Sequence, residues 1–113
     1  MKSLEEVDRL NDRVFKELLE SKRNFILYIR SQKDYNKVKE IFDVDVVFLE
    51  LAKSFGDKLP FFWADIEDIR ELQKMGIFFA PVVLLFKEGR LFAKLEGIMS
   101  WAEYNRAVGE LIC

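Results

Sequence analysis

Apolar residues near the start of the chain recur every three or four positions: Leu4, Val7, Leu10, Val14, Phe15, Leu18 and Leu19. That spacing predicts one amphipathic helix up to Glu20, capped by Ser3, with Glu5 and Glu6 in its first turn. Asn24–Arg30 is nearly all apolar and β-prone, which predicts a strand buried on both faces. From Ser31 to Asp57 the pattern is helical but broken. Val38, Ile41 and Phe42 mark a short piece, Asp43-Val44-Asp45 a break with a new cap, and Val46–Phe55 a second piece ended by Gly56.

Pro60–Ile66 reads as another buried strand, and Glu67–Met75 as a short charged helix stopped by Gly76. Val82–Phe86 and Leu91–Glu96 form a hairpin around the turn Lys87–Arg90. Ser100 caps a last helix, Trp101–Ile112, with Glu103 completing a capping box. Strands alternating with helices imply parallel pairing, and the hairpin adds antiparallel edge strands. The expectation is one α/β domain over residues 1–113, with a central mixed sheet of about four strands flanked by helices.

Eleven phenylalanines and a 50% hydrophobic composition supply a core for 113 residues, so no disulfide or metal staple is required. The net charge of −2, with both signs interspersed, offers no basic stripe for nucleic acid. The stretch Ile77–Phe86 is too short to span a bilayer, and no apolar signal segment follows the first residues, Met1–Glu6. These features predict a soluble, cytoplasmic protein. There is no histidine, and the one cysteine, Cys113, is the last residue. No catalytic triad, Cys/His metal spacing or phosphate-binding glycine loop can be assembled. The expectation is a protein that is not an enzyme and that has no cofactor and no metal.

Met75-Gly-Ile-Phe-Phe-Ala-Pro81, followed by the hairpin and then Gly97, resembles the thioredoxin fold, in which a cis-proline precedes the hairpin. The resemblance implies a cis bond at Pro81. Where a thioredoxin carries its cysteine pair, this chain reads Ser31-Gln-Lys-Asp-Tyr-Asn-Lys37, with neither the attacking nor the resolving thiol.

Three further segments are similar to the HyaE/HupG family, the thioredoxin-like accessory proteins of uptake nickel–iron hydrogenase assembly. They are Gly97-Ile-Met-Ser-Trp-Ala-Glu103, Asp43-Val-Asp-Val-Val-Phe-Leu-Glu-Leu51, and Ala64-Asp-Ile-Glu67. A proline usual before the Glu-Leu pair is here Leu49. The resemblance implies a chaperone for the twin-arginine signal peptide, or the precursor, of the hydrogenase small subunit.

Such a task needs carboxylates for two arginines and an exposed apolar surface for the rest of the peptide. The candidates are Asp43, Asp45, Glu50 and Asp65 for charge, and Phe78, Phe79, Pro81 and Trp101 for apolar contact. Asp43 and Asp45 also suit plain helix entry, Glu50 a solvated face, and one of Phe78 and Phe79 the core. The alternatives are an adaptor or subunit in another assembly, or a single-cysteine redox protein. A homodimer through the edge strand Leu91–Glu96 is a further possibility, with Lys94 placed to guard against it. An insulin-reduction assay is expected to show no activity above background; turnover would require a thiol partner for Cys113.

Overall fold

The computed structural model describes residues 3–113; Met1 and Lys2, which the sequence reading included, lie outside the described residues. A 3-10 turn, Leu4–Glu6, leads into β1 (Asp8–Arg9), α1 (Asp12–Glu20), β2 (Phe25–Arg30), α2 (Glu40–Phe55) and β3 (Phe61–Asp65). Then come α3 (Glu71–Lys74), β4 (Val82–Lys87), β5 (Arg90–Glu96) and α4 (Trp101–Ile112). The sheet order is β1-β3-β2-β4-β5, with β2 parallel to β3 and antiparallel to β4. β2 is buried at all six positions, because it is central and helices cover both faces.

Alternation along β2 and β4 divides the core in two. Ile26, Tyr28, Val83 and Leu85 face Val44, Phe48 and Leu51 of α2 and Tyr104, Val108 and Leu111 of α4. Phe25, Leu27, Ile29, Leu84 and Phe86 face Phe15 of α1 and Leu72 of α3. Phe25 and Phe86 stack at 4.6 Å between ring centres, and Phe15 meets Phe86 edge-on at 5.5 Å. The β4–β5 turn is set by positive φ at both Glu88 (53°) and Gly89 (79°), as a two-residue hairpin requires. The Ala80–Pro81 bond is cis, as the motif implied.

Several sequence expectations change. The predicted first helix divides, because Leu4–Glu6 closes as a single 3-10 turn and the chain then runs extended along β3 through Asp8 and Arg9. Leu10 N donates to the Trp63 carbonyl at 2.9 Å, and Trp63 Nε1 donates to the carbonyls of Leu4 and Val7 at 3.1 Å each. Val7 and Leu10 enter opposite halves of the core, as strand residues three apart do. Asn11, not Ser3, caps α1, its side chain accepting from Val14 N at 2.8 Å. The added strand β1 brings the sheet to five.

The helical break at Asp43–Asp45 is absent, since α2 runs unbroken through it. Asp43 sits in the first turn, where its charge suits the helix dipole, and Asp45 finds its partners in the tertiary structure. The helix predicted over Glu67–Met75 shortens to α3, because Asp65 and Asp68 hold the residues before it in turns. Of the hairpin, only β5 lies at a sheet edge.

Candidate functional site

β2 ends where a thioredoxin would place its thiols, and that end is occupied by an ion pair. Arg30 Nε and Nη2 donate to Asp45 Oδ1 and Oδ2, both at 3.0 Å. Tyr28 donates its hydroxyl to Asp45 Oδ1 at 2.6 Å, and Arg30 Nη1 donates to Gln32 Oε1 at 3.0 Å. The guanidinium also lies 5.3 Å from the Tyr35 ring centre and 5.9 Å from that of Trp63. Arg30 is only 7% exposed. Burial alone would lower its pKa, but the bonds and charge of Asp45 hold it above the ordinary value. Burial first, and then the bond to Asp45, push the Tyr28 phenol far above its usual range.

Asp65 is likewise committed within the chain. It is buried, with Oδ2 accepting from Gln32 N at 2.8 Å and Oδ1 from Glu67 N at 3.1 Å. Its own amide donates to Asp68 Oδ2 at 2.9 Å, and Asp68 pairs with Arg9 at 2.7 Å. This carboxylate ties the loop after β2 to the loop after β3. Asp43 and Glu50 are different. Both are exposed on α2, and among the described residues neither side chain has a hydrogen-bond or ion-pair partner. Seven positions apart, they lie on one helix face, roughly 10 Å from each other along the axis, with exposed Val46 between them.

Pro81 is the centre of an apolar rim. Gly97 N donates to the Pro81 carbonyl at 2.9 Å, and Glu40 at the start of α2 accepts from Ile98 N at 2.9 Å. Tyr104 of α4 donates its hydroxyl to the Gly97 carbonyl at 3.2 Å and accepts from Met99 N at 3.3 Å. The loop 97–99 is thereby pinned to β4, α2 and α4 together. Gly97 has φ +65°, and a Cβ there would stand 2.6 Å from Glu40 Oε2, so glycine is required. At the same end of the sheet, Phe78 (59%), Phe79 (80%) and Trp101 (46%) are exposed, as are Phe42 and Ile98. Pro81 itself is buried.

Phe78 also borders an open cleft of about 590 Å³, walled by Ile66 and Ile77 with Glu67, Arg70 and Lys74. Among the described residues, no group of three or more His, Cys, Asp or Glu is arranged to hold a metal, and no helix is long and apolar enough to cross a membrane.

The structure thus brings Phe78, Phe79, Pro81 and Trp101 to one end of the sheet and leaves Asp43 and Glu50 free on α2. Asp45 and Asp65 are engaged inside. Sequence reasoning passed over Arg30, Glu40, Phe42 and Ile98. An arginine closing an otherwise apolar strand was the one available signal for the first.

The architecture is thioredoxin-like. It superposes with a TM-score of 0.76 on a chain from the structure solved for the thiol resolving mechanism in yeast mitochondrial 1-Cys peroxiredoxin, covering 96% of this chain and 99% of that one at 15% identity. Residues 2–104 match the family described as Hydrogenase-1 expression protein HyaE, and the chain belongs to that family. Membership places it among the accessory proteins of hydrogenase expression. It is also 47% identical over 114 residues to an uncharacterized protein of Aquifex aeolicus (strain VF5), covering 100% of this chain and 97% of that protein.

Replacing Asp45 by alanine strands a buried guanidinium, and urea denaturation is expected to show a loss of about 3–5 kcal/mol. The double replacement Arg30→Met, Asp45→Leu is expected to recover most of that loss. The Tyr28 phenol stays protonated in the folded chain after the unfolded chain has begun to ionise near its ordinary pKa of 10.0. Stability contributed by Tyr28 is therefore complete below that pH and is lost as pH rises above it. In alkaline denaturation series, Tyr28→Phe is expected to flatten the fall by up to about 1.4 kcal/mol per pH unit.

Proposed function

We propose that this chain works without catalysis, as a cytoplasmic maturation chaperone that holds the twin-arginine signal peptide, or the precursor, of the hydrogenase small subunit before export. The observation that carries the reading is the exposed Phe78–Phe79 pair beside Pro81, on a rim completed by Trp101, Phe42 and Ile98. Large apolar side chains grouped on a surface favour a partner that covers them. Family membership supports a protein partner in hydrogenase biogenesis. At the position of the missing thiols stands a saturated ion pair, which is suited to shaping a surface and not to exchanging electrons.

In this reading the apolar part of the signal peptide lies on the rim, and its arginines reach the outer face of α2. Asp43 and Glu50 have unoccupied carboxylates there and can accept paired guanidinium donors. Asp45 and Asp65 shape the site from within, since their oxygens are already bonded.

Calorimetric titration with a synthetic small-subunit signal peptide, beside a twin-lysine control, tests this. Saturable binding is expected, weaker with the lysine peptide. Phe79→Ala is expected to weaken it roughly tenfold or more, from the loss of buried aromatic surface. Reversing charge at Asp43 and Glu50 together is expected to erase the preference for arginine. Absence of binding to either peptide by the folded protein would overturn the reading in favour of an adaptor for a folded partner.

A further inference from the structure

β5 is the long free edge of the sheet. Six of its seven residues pair with β4 on one side only, Phe92 standing in a bulge between Leu91 and Ala93, while the side chains still alternate in burial along the strand. Among the described residues their backbone groups make no hydrogen bond outside that ladder. The opposite edge, β1, has two residues. Open edges attract further strands, and a solitary one is usually blunted by charge. The charges here follow a different rule. Read outward from Ala93, the strand Arg90-Leu-Phe-Ala-Lys-Leu-Glu96 is complementary to its own reverse.

We propose that β5 pairs antiparallel with β5 of a second copy, about a two-fold axis through Ala93. In that register Arg90 lies opposite the partner's Glu96, Leu91 opposite the partner's Leu95, and Phe92 opposite the partner's Lys94. Each contact occurs twice. Opposite charges and apolar pairs directly across an antiparallel ladder stabilise it, and like charges weaken it. Lys94, which on a lone edge would repel pairing, here meets an aromatic ring, a good seat for a cation. The Phe92 ring, 40% exposed, already has Lys87 Nζ 5.5 Å from its centre on its own chain. The lateral ion pair Lys94–Glu96, at 3.5 Å, is exposed and weak enough for Glu96 to be shared with Arg90 across the axis.

Growth stops at two copies. A two-fold pairing of like edges uses both long edges, and β1 is too short to recruit a third chain. The product is one ten-stranded sheet across two chains. It does not rest on the proposed peptide binding, although Lys94 and Glu96 of β5 line a small pocket together with Phe78 and Phe79 of the rim.

Sedimentation velocity over a concentration series tests the proposal on the intact chain. The unaltered protein is expected to dimerise. Arg90→Glu and Glu96→Arg are each expected to weaken the dimer about tenfold or more, because each sets like charges opposite one another twice. Combining both changes in one chain is expected to restore association, as is mixing the two single variants, since each mixed pair sets two acids against two bases. Circular dichroism confirms that these exposed changes leave the fold intact. A monomer at all concentrations overturns the proposal, as does a dimer indifferent to the single reversals. Failure of both the combined chain and the mixture to recover association overturns the register.

Discussion

Moving two charges out of water costs several kcal/mol per ion, and the cost is offset only where geometry and further hydrogen bonds are nearly complete. Arg30 and Asp45 meet that condition at the end of the central strand. Two parallel N–H···O contacts, the Tyr28 hydroxyl and the Gln32 amide saturate the pair, and two aromatic rings flank the cation. The pair fixes α2 in rotation and height against β2, because an unpaired partner would be left nearly buried. The Tyr28–Phe48–Phe61 aromatic row continues the same contact into the core. Asp45 can therefore sit within a continuous helix, and the end of β2 carries an ion pair where a thioredoxin carries thiols.

From that fixed helix the rest of the site is hung. Glu40, at the first residue of α2, accepts the amide of Ile98, and Tyr104 holds the flanking groups of the same loop. The loop in turn accompanies Pro81 through the Gly97 amide. Ile98 in that loop and Trp101 at the start of α4 stand on a backbone anchored from three directions, which lowers the ordering entropy that a partner must offset on binding. Their exposure is a property of a braced surface rather than of a loose loop.

The fold was largely legible in the sequence because its strongest signals are local and agree with one another. Phe25–Arg30 could only be a doubly covered strand, the hairpin carried its own turn residues, and Ser100 with Glu103 marked the last helix. What was hidden depended on distant partners. Leu4, Val7 and Leu10 show a helix period, yet Trp63, more than fifty residues on, accepts and donates bonds that stop the helix after one 3-10 turn and hold Val7–Leu10 extended. Asp43-Val44-Asp45 looks like a helix start because aspartates are common caps, and nothing nearby in sequence discloses that Arg30 claims Asp45. Phe78, Phe79 and Trp101 were legible as candidates from composition and motif. Phe42 was not, since an apolar residue at helical spacing reads as core until the neighbouring face is known to be solvent.

Cys113 caps the far end of α4 and is exposed. The twelve-residue helix sets it about 18 Å from Trp101 at the rim. A fluorophore coupled to this thiol attaches at a single known position, because the chain has no other cysteine. Of the two tryptophans, Trp63 is fixed in the sheet and Trp101 stands near the Pro81 rim. With the label as acceptor, a change in energy transfer from Trp101 along α4 reports on the surface a partner would cover, against a constant contribution from Trp63.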